Sequence, residues 1–507
     1  MMIRRMLFSL PAFALLVAML PSIPARADDA ASLLAKHKAF VGFTFGDGKI
    51  ASLSLTQTVT NDKSRKVVTS VHELDAGSVY RADSVDLARK ETSYDGFTGN
   101  IFWYSNQNGF TVPIIGDPAK LGLAETLFFS DAVATLPWAD QPSAQIDGKT
   151  YDVERVTQAS AFPIDLYVDP ATGAYQRAVI DPGGDQEETF DVLGYAVAAP
   201  GTKIVSKWKY KDSAFTHELT AIIANAPVTA AEFHPPAQTA SWSFSNAGAF
   251  PIKITPSRFI ISAKVNGVPG KFIFDTGSSG ILLSDDFARH AHVIDLGSGE
   301  DSGVAGNLKT TTARVSTIDI GGNVLSNVIV SHGGTGIDLD APDGLLGFDV
   351  LAGALVTLDI ANSTMQLQDL STDSSGIAGV RVAADLSQGT PVLPMLLDGV
   401  ATINALVDSG DPATMLVPTS FIYDHHLRFL RNAAQEITGV GGGYEIDACG
   451  SLDSINLGPV AYVHAPICES DSFSGSDGLI GFDFIKGFDR VVFDYPHSML
   501  VFVPAKQ

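Results

Sequence analysis

Two aspartates stand in the same local pattern, and each offers one carboxylate for acid–base chemistry. Asp275 follows the apolar run 272–274 and precedes Thr-Gly, whereas Asp408 follows the apolar run 405–407 and precedes Ser-Gly. A second shared motif, Asp-Gly-Leu-(Leu/Ile)-Gly-Phe-Asp, begins 68 residues after the first aspartate and 69 residues after the second. The chain therefore contains one structural unit twice. Two carboxylates that meet on a pseudo-twofold axis can share a proton and activate a water molecule, which is the chemistry of peptide hydrolysis.

Tight turns and apolar strands must position these aspartates. An Asn-Gly pair at 266–267 and an Asp-Gly pair at 398–399 predict two-residue hairpin turns just before each aspartate-bearing strand. The glycines that follow, Gly277 and Gly410, allow two backbones to approach closely. The sequence thus predicts that each aspartate lies in a loop at the end of a strand.

This doubled pattern resembles the retropepsin-like branch of the aspartic peptidases, here fused in tandem into a pepsin-like, two-lobed chain over about residues 252–503. The family's D-[TS]-G motif is met at 275–277 and 408–410. Its later apolar-apolar-Gly motif is met at 345–347 and 479–481. The resemblance implies an endopeptidase that acts on a polypeptide.

The resemblance also implies roles for single residues. Asp275 and Asp408 would form the catalytic dyad, and water would be the nucleophile, so no cofactor or metal is expected. Thr276 and Ser409 would hydrogen-bond across the lobe interface, and later glycines would let a strand pass beneath each loop. The supporting residues are Thr276, Gly277, Ser278, Ser409, Gly410, Gly347 and Gly481.

Glycine-rich segments after each aspartate are predicted to form hairpin flaps that close over an extended peptide. Ordinary hairpin turns are the alternative interpretation. A third Asp-Ser-Gly, at 301–303, follows Gly-Glu rather than an apolar strand, so we expect a surface loop there. The predicted flap and substrate-binding residues are Gly303, Val304, Ala305, Gly306, Val440, Gly441, Gly442 and Tyr444.

The second copy of the repeated unit, which contains Asp408, departs from the family pattern at Asp411, where a small hydroxyl-bearing residue or alanine is usual. A third carboxylate beside Asp408 would raise the local pKa or tilt the loop. Alternatively, Asp411 points outward and caps the next turn. Two functions therefore stay open: an active peptidase, or a peptide- or lipid-binding protein that keeps the fold with weak or no catalysis.

The N-terminal region alternates polar and apolar residues in strand-like runs, such as 203–210. It predicts an antiparallel sheet curved around one apolar face, with a short helix near 30–40. The strand rhythm and the Tyr-Val-Asp-Pro turn at 167–170 resemble the curved sheet of periplasmic lipoprotein carriers, which implies a concave face able to hold acyl chains. A structural or substrate-presenting domain and a removable inhibitory pro-segment are the alternatives.

The predicted fold class is mainly β, with a bilobal aspartic-peptidase fold preceded by an antiparallel curved-sheet domain. The predicted divisions are a signal peptide at 1–27, the N-terminal domain at 28–235, a linker at 236–250, lobe one at 251–375 and lobe two at 376–507.

The first 27 residues predict a secretory signal. Arg4 and Arg5 precede an apolar run that ends at Pro21, and Ala25–Ala27 is a cleavage site. A membrane anchor is the alternative, but the run is short for a span of about 20 residues. We expect export to the periplasm or the medium. The net charge of −23 disfavours nucleic acid and anionic membrane surfaces as partners. Internal duplication removes the need for a dimer, so we expect a monomer.

The two cysteines, Cys449 and Cys468, flank Gly458-Pro459 at equal distances. A hairpin that turns there places their side chains opposite each other, which predicts a disulfide that an exported protein can keep. Two unbridged, buried thiols are the alternative. Adjacent imidazoles occur at 425–426, but neighbouring residues point in different directions on a helix, so no metal site is predicted.

Overall fold

A computed structural model gives the fold of the chain. It describes residues 29–61, 66–74, 79–87, 90–184, 186–211, 213–303, 306–334, 343–438, 444–470 and 478–506. The predicted signal peptide lies outside the described residues, as do five of the predicted flap residues: Val304, Ala305, Val440, Gly441 and Gly442.

The described residues of the N-terminal domain form thirteen strands and two α-helices. The helices are α1 (Ala30–Val41) and α2 (Asp117–Phe129), with 3-10 turns at Ala132–Thr135 and Ala230–Phe233. The strands are β1 (Ser52–Asn61), β2 (Lys66–Leu74), β3 (Val79–Asp86), β4 (Glu91–Phe97), β5 (Phe102–Ser105), β6 (Thr111–Ile114), β7 (Trp138–Ile146), β8 (Lys149–Val156), β9 (Ile164–Val168), β10 (Tyr175–Ile180), β11 (Glu188–Val197), β12 (Lys203–Tyr210) and β13 (Phe215–Ala224).

These strands form one antiparallel sheet in the order β6-β5-β4-β3-β2-β1-β13-β12-β11-β10-β9-β8-β7. The chain meanders outward from β1 to β6, crosses over through α2, and returns through β7 to β13, which pairs with β1. Both helices bury apolar side chains against the sheet, including Leu33 of α1 and Phe128 of α2. The predicted antiparallel sheet and first helix are present, whereas the sequence analysis did not predict α2.

The C-terminal half contains the remaining elements. The helices are α3 (Asp285–His290), α4 (Phe348–Leu351), α5 (Thr419–Asp424) and α6 (Phe482–Ile485), with a 3-10 turn at Tyr495–His497. The strands up to the end of copy one are β14 (Ser241–Ser243), β15 (Phe250–Pro251), β16 (Lys253–Ile254), β17 (Phe259–Val265), β18 (Val268–Phe274), β19 (Ile281–Ser284), β20 (Ile294–Gly303), β21 (Gly306–Ile320), β22 (Asn323–Gly333), β23 (Gly344–Leu346), β24 (Leu355–Asp359) and β25 (Thr364–Gln368). The strands of copy two are β26 (Val380–Ala383), β27 (Val392–Leu397), β28 (Ala401–Asp408), β29 (Met415–Val417), β30 (Leu430–Thr438), β31 (Tyr444–Leu457), β32 (Val460–Glu469), β33 (Gly478–Gly481), β34 (Phe488–Asp494) and β35 (Met499–Pro504).

Each copy builds its own sheet around the same two pairings. In copy one, β18 pairs with β17 in a hairpin and runs parallel to β23. In copy two, β28 pairs with β27 in a hairpin and runs parallel to β33. The hairpins turn at 266–267 and 398–399, where all four residues have positive φ, as a type I′ turn requires. The repeated sequence motifs therefore occupy corresponding positions.

A six-stranded sheet joins the two copies, in the order β15-β25-β24-β34-β35-β26. Its central pair is β24 of copy one and β34 of copy two, which run antiparallel with Val356 opposite Phe493. Both of these side chains are buried in one large apolar core that contains residues of both copies. This shared sheet fixes how the two lobes are placed.

The fold is mainly β, as predicted. Within the predicted linker, Ser241–Ser243 forms a strand that pairs with β22 of lobe one. None of the described helices combines the length and the apolar character that crossing a membrane requires.

Candidate active site

Strand ends place the two aspartates. The last three side chains of β18, at 272–274, are apolar and buried. The chain leaves the sheet at Asp275, whose backbone N–H donates to the Leu346 carbonyl at 3.0 Å. Asp408 is the last residue of β28 and is opposite Gly481 in the parallel ladder. Each aspartate is thus held by the parallel strand next to its own, which is β23 for Asp275 and β33 for Asp408.

The two dyad loops, 275–280 and 408–413, approach so closely that only glycine fits between them. A Cβ atom on Gly277 would lie 2.4 Å from Cγ of Asp408, and a Cβ atom on Gly410 would lie 2.5 Å from Cγ of Asp275. The two carboxyl groups are hydrogen-bonded to each other. Each also accepts from a glycine N–H of its own loop, at 3.0 Å from Gly277 and 2.8 Å from Gly410.

Thr276 and Ser409 join the loops by four buried hydrogen bonds. The Thr276 N–H donates to Ser409 Oγ at 3.0 Å, and the Ser409 N–H donates to Thr276 Oγ1 at 2.9 Å. Each hydroxyl then donates to a carbonyl of the opposite copy, at 2.5 Å from Thr276 to Val407 and at 2.7 Å from Ser409 to Phe274. Both side chains are fully buried, so these bonds hold the two aspartates in fixed relative positions.

Two further glycines allow a strand to pass under each loop. A Cβ atom on Gly347 would lie 2.4 Å from the Ser278 carbonyl oxygen, and one on Gly481 would lie 2.4 Å from the Ala413 carbonyl oxygen. Ser278 also donates from Oγ to the Gly280 carbonyl at 3.0 Å, which closes the first loop on itself. All seven residues predicted to support the dyad therefore lie in or directly against the two loops.

Burial and proximity set the ionisation of the dyad. Burial raises the pKa of Asp275, and its hydrogen bond from Asp408 acts in the opposite direction. Burial and the nearby charge of Asp275 raise the pKa of Asp408 well above its usual range. Two carboxyl groups in contact, one buried and one partly buried, cannot both ionise easily, so the pair retains one proton where isolated aspartates have lost theirs.

Asp411 is buried beside the dyad and caps the second loop. Its Oδ1 accepts from the Ala413 N–H at 2.7 Å, and its own N–H donates to Asp408 Oδ1 at 3.2 Å. Burial, and then the charge of Asp408, raise the pKa of Asp411 to about 7. Asp411 thus caps the turn, but its side chain is buried rather than pointing outward.

Two further residues act on the dyad and were not predicted. The positive charge of Arg258, which directly precedes β17, lowers the pKa of Asp275, Asp408 and Asp411. Tyr495 is fully buried, and its pKa is raised well above its usual range by burial and by the charge of Asp275. No local motif marks either residue, because both reach the site through the fold.

The predicted flaps correspond to two long hairpins. In β20 and β21, Gly303 is opposite Gly306, and in β30 and β31, Thr438 is opposite Tyr444. The third Asp-Ser-Gly was predicted to be a surface loop, which is wrong. It forms the last three residues of β20, because this hairpin stays paired as far as Gly303.

Cys449 and Cys468 form a disulfide. They are directly opposite each other in the antiparallel pair β31–β32, with Cα atoms 4.0 Å apart. Both cysteines are buried in a small apolar cluster with Ala413 of the second dyad loop. The disulfide therefore links β31 to β32 beside the second dyad loop.

Comparison with known proteins identifies the class of this fold. A family model described as aspartyl protease matches residues 261–350, which lie in lobe one. Among solved structures, the chain is similar to a retropepsin-like aspartic protease from Rickettsia conorii. The two are 13% identical over 25% of this chain and 89% of that chain, with a TM-score of 0.20. The match to the aspartyl protease family therefore lies within lobe one.

Two other solved structures are similar over a larger share of the chain. A LolA superfamily protein from Nitrosomonas europaea is 13% identical over 41% of this chain and 98% of that chain, with a TM-score of 0.30. An uncharacterized conserved protein from Thermus thermophilus is 9% identical over 42% of this chain and 97% of that chain, with a TM-score of 0.20. No curated protein matches the chain.

Proposed function

We propose that the chain is an exported aspartic endopeptidase in which Asp275 and Asp408 activate a water molecule. One observation carries this proposal: two carboxyl groups from corresponding loops, with Asp275 buried and Asp408 partly buried, are hydrogen-bonded to each other at the lobe interface. Most proteins do not place two acids side by side away from water, because removing charged groups from water is energetically unfavourable. The match of lobe one to the aspartyl protease family supports the same conclusion.

The chemistry follows from the single shared proton. The ionised carboxylate accepts a proton from a water molecule held between the two acids, and the protonated carboxyl donates to the carbonyl oxygen of the scissile bond. Attack by the water oxygen gives a tetrahedral intermediate. As the C–N bond breaks, the carboxyl that accepted the water proton protonates the leaving amine, and the other carboxylate takes a proton from a hydroxyl of the intermediate, which restores the dyad. The Thr276–Ser409 bonds keep the acids from separating during these steps.

Asp411 bears on the alternative function, a binding protein with weak or no catalysis. A third ionised carboxylate would disturb the dyad, but the raised pKa of about 7 keeps Asp411 protonated in mild acid. Asp411 is then neutral and only caps its turn. The site therefore favours catalysis on the acid side of neutrality over loss of catalysis.

The remaining parts of the proposal come from the sequence. The predicted signal peptide at 1–27 implies export to the periplasm or the medium. The hairpins β20–β21 and β30–β31 are the candidate flaps over an extended polypeptide substrate. Two copies in one chain allow a monomer to form the complete dyad.

A cleavage assay tests the proposal. The chain purified from residue 28 onward should cleave an unfolded polypeptide at mildly acid pH, and Asp275→Asn should abolish cleavage while the circular dichroism spectrum is unchanged. Asp286→Asn is the matched control, because the Asp286 side chain is 81% exposed in α3 and should not affect activity. Cleavage that survives Asp275→Asn would show that another site or a contaminant is responsible.

A further inference from the structure

A hairpin of the N-terminal domain inserts into the peptidase lobes. Strands β5 and β6 form the edge of the thirteen-stranded sheet, and the loop between them carries Phe110 into the apolar core of the C-terminal half. Val112 is fully buried in the same core. Tyr104 contacts Phe348 edge to face, with ring centroids 5.8 Å apart. The N-terminal domain is thus packed into lobe one rather than tethered beside it.

Two asparagines of this hairpin meet one buried carboxylate of lobe one. Asn106 Nδ2 and Asn108 Nδ2 donate to Asp349 Oδ1 at 2.7 and 2.8 Å. All three residues are buried, with 6%, 0% and 1% of their surfaces exposed. Burial raises the pKa of Asp349 to about 6, and the bonds from Asn108 and Asn106 act against that rise. A buried polar group left without these partners would be destabilising.

Asn108 also extends the sheet of lobe one. Its Nδ2 donates to the Ile329 carbonyl at 2.9 Å, and its Oδ1 accepts from the Ile329 N–H at 2.8 Å. The side-chain amide therefore pairs with β22 as a neighbouring strand would, just beyond the residues that β14 covers. The position of both asparagines is consequently fixed relative to lobe one.

The segment that ends at Asp349 supports the first dyad loop. Its Leu346 carbonyl accepts from the Asp275 N–H at 3.0 Å, and its Phe348 N–H donates to the Ser278 carbonyl at 3.0 Å. Asp349 Oδ2 lies 3.5 Å from the place where a Cβ on Gly280 would be. A displacement of Asp349 would therefore also displace the loop that holds Asp275.

The aspartate at the corresponding position of the second copy is not buried. Asp483 follows Phe482 as Asp349 follows Phe348, but Asp483 is 45% exposed and pairs with Lys486 at 2.6 Å. Exposed ion pairs of this kind contribute little to stability. The difference between the two copies is that the N-terminal hairpin covers Asp349.

We propose that Asp349 is a positioning residue for the dyad, and that the N-terminal domain is an integral part of the active unit because Asn106 and Asn108 hold that residue in place. This inference rests on the proposed function only where activity is the readout. It also predicts that the N-terminal domain is retained in the working protein rather than removed as a pro-segment.

A reciprocal exchange tests the contact. Asn106→Asp keeps the oxygen that accepts from the N–H groups of Asn108 and Phe110, but it removes the donor to Asp349. Combining Asn106→Asp with Asp349→Asn restores a donor and an acceptor between positions 106 and 349 with their places exchanged. The rescue is partial, because Asn108 Nδ2 donates to the same oxygen of Asp349 and loses that acceptor. Asp483→Asn is the matched control in copy two.

The primary readout is amide hydrogen exchange at Asp275 and Phe348 in the full chain, which requires no substrate. At about pH 8, Asn106→Asp should reduce protection of both amides at least about tenfold, and the reciprocal variant should restore part of it. At about pH 5 the loss should be smaller, because a proton shared between two carboxyl groups replaces the missing amide hydrogen. Tyr104 is the titratable group that faces Asp349 from β5. Burial raises the pKa of Tyr104 above that of a free tyrosine, so Tyr104 stays neutral at both pH 5 and pH 8.

Activity gives a second readout. With an unfolded polypeptide substrate, Asn106→Asp should lower kcat about tenfold and leave KM within about twofold, since the dyad is displaced but the flaps are not. Unchanged amide protection in Asn106→Asp at pH 8 would overturn the inference, and so would a loss of protection that is as large at pH 5 as at pH 8. A wild-type chain that cleaves nothing would overturn the proposed function instead. The inference about Asp349 would still be tested, because amide hydrogen exchange requires no substrate.

Discussion

Thr276 and Ser409 each donate a backbone N–H to the other's hydroxyl oxygen, although they belong to different copies of the repeated unit. Each hydroxyl also donates to a carbonyl behind the opposite loop. The two residues thus form a closed set of four bonds directly behind the carboxyl groups. Because every donor in this set lies in the buried interface, losing one side chain leaves several polar groups without partners.

Thr276→Val tests this arrangement with a side chain of nearly the same shape. It removes the acceptor of the Ser409 N–H and the donor to Val407, so we expect the free energy of unfolding to fall by about 3 kcal/mol. Urea denaturation measures the change. Thr402→Val is the matched control, because Thr402 is exposed on the same strand as Asp408, and there the change should be small. Equal effects at the two positions would contradict the interpretation.

Gly347→Ala tests the close passage beneath the first loop. The new methyl group would lie 2.4 Å from the Ser278 carbonyl and 2.6 Å from the Gly280 carbonyl, and backbone atoms on both sides cannot rotate away. We expect a loss of about 3 kcal/mol or more in stability, together with loss of cleavage. Thermal unfolding and the cleavage assay measure both effects.

Gly297→Ala is the control for that substitution. Gly297 lies in β20, and a Cβ atom there would meet no heavy atom within 4 Å. Stability should be unchanged or slightly higher, because alanine loses less conformational freedom on folding than glycine. If Gly347→Ala were tolerated as well as Gly297→Ala, the strand would not pass beneath the loop as described.

Asp411 predicts an unusual dependence of stability on pH. Burial raises the pKa of Asp411 from 3.8 to about 7, so the folded state binds its proton more tightly than the unfolded state does. This contribution to stability is fully present below about pH 4 and is lost as the pH rises through about 7. Asp411→Asn should therefore raise the free energy of unfolding at pH 8, by at most about 4 kcal/mol, and change it little at pH 4.

Asp369→Asn provides a control of opposite sign. The hydroxyl and N–H of Ser371 lower the pKa of Asp369, so its contribution is present above about pH 4 and is lost as the pH falls further. Urea denaturation at several pH values separates the two cases. An Asp411→Asn curve parallel to that of the wild type across pH 4–8 would show that Asp411 titrates normally.

Much of the dyad could be predicted from the sequence because its determinants are local and occur twice. The turn at 266–267 and the short motif around Asp275 each lie within a few residues, and their repetition at 398–399 and Asp408 indicates a second copy. Strand β12 was predicted with the bounds that the structure has, because polar and apolar residues alternate throughout it.

The elements that were missed depend on contacts between distant residues. Helix α2 has no clean amphipathic pattern, although Pro118 directly after Asp117 is typical of a helix N-terminus. The contact between Asn106 and Asp349 spans 243 residues. Asp349 ends the repeated motif at 343–349, but no motif marks Asn106 as its partner. Such pairs become visible only when the fold brings the N-terminal hairpin against lobe one.

The last prediction concerns the disulfide and the apolar cluster that packs against the second dyad loop. Cys449 and Cys468 close a loop with a sequence separation of 19, and a crosslink of that size stabilises a folded chain by about 3 kcal/mol when its effect is mainly on the unfolded state. Reduction should therefore lower the midpoint of urea denaturation. It should also reduce cleavage, because the cysteines pack with Ala413 next to Asp408. The double variant Cys449→Ala/Cys468→Ala should already show both losses and respond no further to reductant. A wild-type chain whose stability is the same with and without reductant would show that the crosslink does not support this part of the lobe.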